Sequence, residues 1–497
     1  MSRRAARLLI AGLAIVHAAF FIIYQRPDWA TQWTDQNGYL LLGRVLAETG
    51  RFSRFANTPT YVPEAIRTPV YPAFVALLDA LFGESHLVIA VAQALLFAAT
   101  CLIVHAIALT IASGRVAAAA GLAVALYPPL PYFAALVLTE VLTTFLVTAG
   151  LALWLRALAR DSTRLHVAAG VVLAAAALTR PTFGLLPVFL ATAAIVAVRP
   201  PRRVAWRGSA VMIAAFGAAI APWILYNAVY FKALTFSPAG GPGRQLFEGA
   251  WQVEFPGRIE SELTLLADAT VDRAQLDDQV RAVAARSQLP AEPMLRYVHQ
   301  HQDIARMWTT PTDPWERTVA RIAADREYGR VALENIRRNP LRHLLRRAVR
   351  GTFLLWAAEI PVRYSDINRL APWTIRAIWL PQAAVMGLAV WGVVVVIGRG
   401  ARTAGYAMAA LVAYVTAVHT PLYSEARYSL PAMPIVLVLA TMAAAEIVGT
   451  YARTGARVGS RPLSHMRKTA RPVGNEGRRG SRRACRATDT APLAFTY

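Results

Sequence analysis

Two acidic residues and four arginines stand beside the apolar segments of this 497-residue chain. The carboxylates belong to Asp35 and Glu140, and the guanidinium groups to Arg67, Arg180, Arg244 and Arg427. A carboxylate can accept the proton of an attacking hydroxyl. The planar arginine side chain binds phosphate through two parallel hydrogen bonds and keeps its charge. The set predicts catalysis by the two carboxylates on a phosphate-bearing substrate, with the arginines binding the phosphate and stabilising the charge that develops on it.

Further polar residues at the same predicted depth are expected to line a substrate cavity: Tyr39, Tyr71, Asn227, His419 and Glu425. Ionisable groups are expensive at membrane depth, so groups that share one depth usually line a cavity or a functional site. Structural alternatives stay open for single residues. Asp35 could cap the helix that follows it, Arg67 could anchor a helix end at the membrane surface, and Glu140 could form an ion pair with a neighbouring arginine.

The elements that must position these groups are membrane helices. The chain is 56% hydrophobic and 16% charged, whereas a soluble domain is about one-quarter charged. Its apolar residues form blocks of about 15 to 25, and a helix of about 20 residues spans a bilayer. We predict an all-α, polytopic membrane protein with about ten transmembrane helices, at residues 8–24, 86–112, 116–131, 134–156, 165–179, 182–198, 208–229, 374–397, 404–419 and 428–449.

Short arginine-rich loops indicate the orientation of these helices. If all ten spans alternate, loops such as "RPPRRVAWR" and the C-terminal tail fall on one side, which the positive-inside rule makes cytoplasmic. Membrane topology then explains the net charge of +23, and nucleic acid is not predicted as a partner. We expect a multi-pass protein of the bacterial plasma (inner) membrane, with both termini in the cytoplasm and membrane lipids as partners.

Four regions follow from this topology. Residues 1–229 form an N-terminal transmembrane catalytic module that includes a first periplasmic loop, 25–85. Residues 230–373 form a second periplasmic segment, and both outer segments are expected to hold interfacial helices because they contain short apolar or amphipathic stretches. Residues 374–451 supply the C-terminal transmembrane helices. The basic tail, 452–497, has too few apolar residues to fold and is predicted to be disordered in the cytoplasm.

Several stretches resemble a known family in their order and spacing. They are "DQNGYLLLGRVLAETG", "RTPVYPAFVALLDALFG", "LTEVLTTFL", "ALTRPTFGLLP", "APWILYNAVYFKAL" followed by "GG", and "EARYSLPAMPIVLVL". From about residue 8 to 449, the chain resembles the bacterial membrane glycosyltransferases of the GT-C fold, family 39, which are related to protein O-mannosyltransferases and aminoarabinose transferases. The resemblance implies transfer of a sugar from a polyprenyl-phosphate donor to a hydroxyl of a periplasmic or cell-envelope acceptor, which could be a glycan, a lipid or a protein.

The resemblance also implies roles for single residues. Asp35 occupies the position of an essential acidic residue in the first outer loop, where protein-mannosylating members carry an acidic pair. Gln36 follows here instead, which weakens the case for protein mannosylation. Glu140 matches a second acidic position, Arg180 an Arg-Pro turn and Arg427 a late Arg-Tyr motif. Some relatives bind a metal, but no ligand cluster stands out in the sequence, so we predict that no metal cofactor is required.

Other classes of function remain open. A lipid-linked saccharide flippase or small-molecule transporter would place polar groups through the membrane midplane and contain paired half-helices. A non-catalytic membrane scaffold would tolerate neutral residues at Asp35 and Arg180. Polymerisation of a lipid-linked polysaccharide would use the same leaving group with a longer donor.

Overall fold

The computed structural model describes residues 2–29, 34–197, 202–255, 257–268, 272–363, 366 and 369–459. Within these ranges the regular structure is helical throughout, which confirms the all-α prediction. The last described helix runs to Gly459, past position 452, where the tail was predicted to begin. The remainder of the predicted tail, from residue 460 onward, lies outside the described residues.

The α-helices of the described residues are numbered here in chain order. They are α1 (Arg3–Gln25), α2 (Thr34–Thr49), α3 (Val70–Phe82), α4 (His86–Ala108), α5 (Gly114–Ala125), α6 (Pro129–Ala134), α7 (Glu140–Arg160), α8 (Thr163–Thr179), α9 (Leu186–Ala197), α10 (Arg202–Phe231), α11 (Pro242–Gln252), α12 (Gly257–Asp268), α13 (Arg273–Ser287), α14 (Ala291–Thr309), α15 (Pro314–Arg338), α16 (Pro340–Arg346), α17 (Thr352–Trp356), α18 (Pro372–Gly398), α19 (Arg402–His419) and α20 (Met433–Gly459). A π-helical turn, Arg347–Gly351, joins α16 to α17.

Among the described residues, six helical segments are long and apolar enough to cross a membrane: Arg3–Asp28, His86–Ala108, Glu140–Arg160, Arg203–Phe231, Arg376–Gly398 and Ala426–Thr450. They agree with six of the ten predicted spans. Three further predictions fall on shorter apolar helical segments, at Gly114–Ala125, Thr163–Thr179 and Pro181–Ala197. The tenth falls on α19, which has 18 residues. The polytopic membrane architecture is therefore confirmed, whereas the number ten stays a prediction.

A proline cluster ends the third predicted span early. Helix α5 stops at Ala125, and α6 begins at Pro129, whose ring fixes the backbone and removes an amide donor. The chain between α6 and α7 is not helical, so the predicted span 134–156 begins instead at Glu140. The consequence is functional, because this break places Glu140 in the first turn of α7.

Two buried glutamines satisfy the polar backbone of that break. The Gln93 side-chain amide donates to the carbonyls of Ala134 (3.1 Å) and Leu136 (2.7 Å). The backbone N–H of Val137 donates to the side-chain carbonyl of Gln36 at 2.7 Å. A buried backbone group without a partner would cost about 1–3 kcal/mol, so these contacts stabilise the non-helical segment. Gln36 thereby ties α2 to the chain that carries Glu140.

The outer segment 230–373 has an aromatic core of its own. Phe247, Trp251, Tyr297 and Tyr328 are buried there, and the rings of Phe247 and Tyr328 lie 5.1 Å apart. Helices α11 to α15 bury their apolar faces around this cluster. Their polar faces contact solvent and the cavity of the candidate active site.

Candidate active site

A cavity of about 700 Å³ lies where the outer segments meet the ends of the apolar helices. One part of its wall is formed by α2, the loop before α3, the start of α7, the turn after α8 and the loop before α20. Helices α11, α12, α14 and α15 of the segment 230–373 form the other part. Most of the site residues predicted from sequence line this cavity: Asp35, Tyr39, Arg67, Glu140, Arg180, Arg244, Glu425 and Arg427. Residues that are far apart in the chain therefore share one space.

Arg67 lies along one face of α2 and contacts Asp35. Its Nη2 is 3.1 Å from the Asp35 Oδ1 atom, and its guanidinium stands 4.0 Å from the centre of the Tyr39 ring. Residues three and four apart share a helix face, so Asp35, Gly38 and Tyr39 are neighbours. A Cβ atom on Gly38 would stand 2.7 Å from Arg67 Nη2. The glycine therefore leaves the space that Arg67 needs to reach the carboxylate.

Glu140 and two arginines form the deeper part of the site. Arg180 Nη1 lies 3.5 Å from the Glu140 Oε1 atom, and Arg427 Nη1 lies 4.0 Å from the same oxygen. Arg427 Nη1 is also 3.9 Å from the Asp35 Oδ2 atom, so it connects the two carboxylates. The other carboxylate oxygen of Glu140, Oε2, is buried and accepts no hydrogen bond from the described residues.

The loop before α20 contributes an acid and an aromatic ring beside Arg427. Arg427 Nε donates to the Glu425 carboxylate. The guanidinium groups of Arg180 and Arg427 stand 4.5 Å and 5.4 Å from the centre of the Tyr428 ring. Arginine over an aromatic ring is attracted by the ring's negative face. Tyr428 thus holds two cations close together, although like charges repel.

Asp35 is ionised in this environment. Burial opposes ionisation of its carboxyl group, but the positive charges of Arg67, Arg427 and Arg180 outweigh burial and hold the pKa of Asp35 below its ordinary value. Its side chain is nevertheless 48% exposed, against 4% for Glu140. Asp35 is therefore the carboxylate of this pair that a substrate can reach.

Arg244 contacts two acidic residues of the segment 230–373. Its Nε donates to the Glu248 carboxylate at 2.7 Å, and its backbone N–H donates to Asp325 at 3.1 Å. These contacts place Arg244 on the cavity wall formed by α11 and α15.

Three predicted cavity residues do not reach the wall. Tyr71 is buried beneath Tyr39, with ring centres 4.8 Å apart, and its hydroxyl donates to Gln93. The Asn227 side chain donates to the carbonyl of Thr235 at 2.7 Å and so closes the turn after α10. His419 is buried behind Tyr428, with ring centres 5.1 Å apart. Tyr71 and His419 thus lie one layer behind the cavity, where each packs on a lining residue, and Asn227 stabilises a turn.

Several lining residues were missed from sequence. Those from the outer segment are Gln245, Glu248, Glu260, Thr264, Trp308, Arg321, Asp325 and Tyr328, and the last loop adds Tyr423 and Tyr428. Tyr428 could have been predicted as a site residue, because it directly follows Arg427 in the motif "EARYSLP". Those from the outer segment stand on amphipathic helices, where a residue that faces a cavity has the same pattern as one that faces water.

One of the missed residues titrates near neutral pH. Burial, reinforced by the nearby charge of Glu248, raises the pKa of Glu260 to about 7. Glu260 also accepts hydrogen bonds from the Thr264 hydroxyl. The cavity therefore holds a strongly ionised carboxylate at Asp35 and a more weakly acidic group at Glu260.

The described residues contain no group of three or more His, Cys, Asp or Glu side chains placed to hold a metal ion. Asp35 and Glu140 share Arg427 as a close partner, and each faces a second arginine. Their environment is thus suited to an anion that competes for the arginines. Independence from metal stays a prediction.

Comparisons with known proteins agree with this architecture. Residues 66–226 match the family model described as dolichyl-phosphate-mannose-protein mannosyltransferase. A search of curated proteins found no match. The archaeal oligosaccharyltransferase AglB from Archaeoglobus fulgidus, solved with an inhibitory peptide and a dolichol-phosphate, has a TM-score of 0.51 at 13% identity, over 93% of this chain and 52% of that one.

Two further solved structures are similar. The Archaeoglobus fulgidus oligosaccharyltransferase tethered to an acceptor peptide has a TM-score of 0.50 at 12% identity, over 92% of this chain and 52% of that one. ArnT from Cupriavidus metallidurans, bound to undecaprenyl phosphate, has a TM-score of 0.37 at 14% identity, over 92% and 82%. The chain spans about half the length of the oligosaccharyltransferases that it matches. Together with the family match, the likeness to the oligosaccharyltransferases confirms the predicted resemblance and the GT-C fold class.

Proposed function

We propose that this protein is a membrane glycosyltransferase that moves a sugar from a polyprenyl-phosphate donor to a hydroxyl group of a cell-envelope acceptor. The observation that carries the proposal is the convergence of an accessible carboxylate, Asp35, with the guanidinium groups of Arg67, Arg180 and Arg427 in one cavity. The description of the matched family names dolichyl-phosphate-mannose, and AglB was solved with a dolichol-phosphate. Both support a lipid-linked donor.

In the proposed reaction the arginines bind the donor phosphate. The acceptor hydroxyl attacks the anomeric carbon, a new carbon–oxygen bond forms, and the bond from that carbon to the phosphate oxygen breaks. The hydroxyl proton passes to Asp35, and the electron pair of the broken bond leaves with the polyprenyl phosphate. Preorganised arginines stabilise that departing charge in the transition state. A single displacement of this kind inverts the anomeric configuration.

Donor binding would also make Asp35 a better base. In the free protein, the pKa of Asp35 is held low by Arg67 and Arg427, which favours a carboxylate but a weak base. A phosphate that takes the same guanidinium groups would weaken their hold on Asp35 and add a negative charge nearby. Both effects raise the pKa of a carboxyl group. Proton transfer would thus be favoured once the donor is bound.

Glu140 is proposed to hold the arginines rather than to exchange protons with substrate. Its side chain is 4% exposed and lies within ion-pair distance of Arg180 and Arg427. Positioned charges of this kind cost no reorganisation during reaction. Replacing Glu140 by glutamine would therefore weaken donor binding and turnover together.

The decisive experiment is donor turnover by purified protein in lipid. A panel of short-chain polyprenyl-phosphate sugars is offered with envelope extracts as acceptors, and release of polyprenyl phosphate is measured for wild type and Asp35→Asn. We expect release from one donor, with a loss of at least about 100-fold in the variant, the lower range for removing a general base. Glu48→Gln is the matched control, because Glu48 is an exposed carboxylate on the same helix.

Two outcomes contradict the proposal. One is full activity in folded Asp35→Asn protein, which would exclude Asp35 as the base. The other is no turnover of any donor by wild type, which would favour the flippase or transporter alternative. The sugar follows from the panel member that is consumed.

A further inference from the structure

A second cavity of about 350 Å³ adjoins the first. The two share Ile66, Ala239, Trp308 and Arg321 as wall residues. The described wall of the second cavity belongs to the two outer segments, and it includes no residue of the candidate membrane spans. The first cavity, in contrast, includes Glu140 and Arg427 from such spans. The second cavity therefore extends the site away from the apolar helices.

The second cavity has an excess of positive charge. Its ionisable wall residues are Arg54, Glu64, Arg317 and Arg321. The Glu64 carboxylate is taken by Arg54, which donates to its two oxygens at 2.7 Å each. Arg317 donates to the carbonyl of Pro311 at 3.0 and 3.2 Å. The one acid of this wall is therefore already paired.

Arg321, at the junction of the cavities, forms no ion pair with the described residues. Its guanidinium stands 5.4 Å from the centre of the Trp308 ring. Burial and the nearby cations Arg54 and Arg244 lower the pKa of Arg321 to about 10. A partly buried cation without a carboxylate partner is costly, and an anionic ligand would compensate that cost.

We propose that Arg321 and Trp308 form an acceptor subsite for an anionic saccharide. The guanidinium pairs with a carboxylate or phosphate of the acceptor, while the indole ring offers an apolar surface to the carbon–hydrogen face of a sugar. This inference rests on the proposed function, in which the arginines beside Asp35 bind the donor phosphate and the acceptor needs a separate cation. The acceptor hydroxyl then enters the first cavity from the junction that Arg321 shares.

The subsite can be tested by binding, without turnover. Protein in lipid nanodiscs is saturated with polyprenyl phosphate to occupy the donor arginines, and ligand-observed NMR measures affinity for three probes: methyl glucuronide, glucose 6-phosphate and neutral methyl glucoside. We expect at least one anionic sugar to bind about tenfold more tightly than the neutral one, as one charge-assisted contact predicts. The preferred anionic probe tells whether the acceptor group is a carboxylate or a phosphate.

Variants assign that preference to the subsite. Arg321→Gln should abolish it and Arg321→Lys should retain part of it, whereas Trp308→Leu should weaken all three probes. Arg330→Gln is the matched control, because Arg330 is an exposed arginine on the same helix that pairs with Glu327 and Glu334. Retained binding of polyprenyl phosphate shows that each variant is folded.

Equal affinity of wild type for charged and neutral sugars, or an anionic preference that survives in Arg321→Gln, would overturn the subsite. Neither result depends on donor turnover. Failure of the glycosyltransferase proposal would instead appear as an Arg321-dependent anionic preference in a protein that consumes no donor.

Discussion

Arg347 is expected to control whether the loop before α20 is in place, although it lines no part of the cavity. It is buried in the π-helical turn and donates five hydrogen bonds. The acceptors in the loop before α20 are the carbonyls of Thr420 and Leu422 and the hydroxyl of Ser424, and those on α11 are the carbonyl of Gly249 and the side chain of Gln252. That loop continues directly into Glu425 and Arg427.

Two opposing contributions decide how Arg347→Met changes the free energy of unfolding. Burial holds the pKa of Arg347 to about 10, a cost to its charged form of about 3 kcal/mol that the substitution removes. Hydrogen bonds from a charged donor contribute about 1.5 kcal/mol each even at the low end, and the substitution leaves all of the acceptors without that donor. The losses exceed the relief, so Arg347→Met should destabilise the protein by about 4 kcal/mol.

Arg347→Lys should be intermediate, because an ammonium group has three donors and cannot supply all the bonds that arginine makes. Arg346→Met is the matched control. Arg346 is the preceding residue, and it pairs with Glu254 at a partly exposed site, where an ion pair contributes about 1 kcal/mol or less.

Unfolding in a fixed lipid or detergent is measured by denaturant titration, and donor turnover is measured under conditions where each variant is folded. The expected order of stability is wild type, Arg346→Met, Arg347→Lys and Arg347→Met, with turnover lost in the last. If Arg347→Met unfolds at the wild-type midpoint and retains turnover, the hydrogen bonds do not hold the loop before α20. Equal loss in Arg346→Met would show a general effect of basic charge.

Three further predictions are open to direct measurement. Gly38→Ala should lower the rate of sugar transfer about tenfold or more, because the added methyl group moves Arg67 away from Asp35. Gly12→Ala is the control, since a Cβ atom there meets open space, and kcat is compared for the folded variants. The raised pKa of Glu260 means that, between pH of about 5 and 7, the folded state binds a proton that the unfolded state has lost. The free energy of unfolding should therefore fall as pH rises through this range. Glu260→Gln should remove this pH dependence in thermal unfolding. Transfer should survive chelators of divalent metals, and recovery of lost activity by added metal would refute the prediction of metal independence.

The sequence predicted the membrane-facing half of the site because its context makes polar residues conspicuous. Asp35, Glu140 and Arg180 interrupt or border apolar stretches, and the structure brings them to one cavity. The proline cluster near position 129 can also be seen in the sequence. The non-helical segment that follows it and places Glu140 at the start of α7 could not be predicted. Only the structure shows that the break is stabilised by Gln36 and Gln93, because those contacts join segments about 40 to 100 residues apart.

The outer half of the site could not be predicted in the same way. Arg321 and Arg347 stand in helices rich in arginine, where composition does not distinguish a buried cation from a solvated one. Tyr71 and His419 show the converse limit. Position along the chain placed them near the cavity, but side-chain direction put them one layer behind Tyr39 and Tyr428. Proximity to the site was therefore predictable from sequence, whereas the direction of each side chain was not.

The charges around Arg427 indicate why Asp35, rather than another carboxylate, would accept the proton. Arg67, Arg180 and Arg427 are balanced by Asp35, Glu140 and Glu425, so a donor phosphate must compete with an acid for each guanidinium. Glu140 is 4% exposed and Glu425 is 32% exposed, whereas Asp35 is 48% exposed and faces Arg427 at 3.9 Å. The most exposed of these carboxylates yields its arginine first, because water screens its attraction and can replace the contact. Phosphate binding would therefore release Asp35 in particular, and the base would become available only when there is a donor to attack.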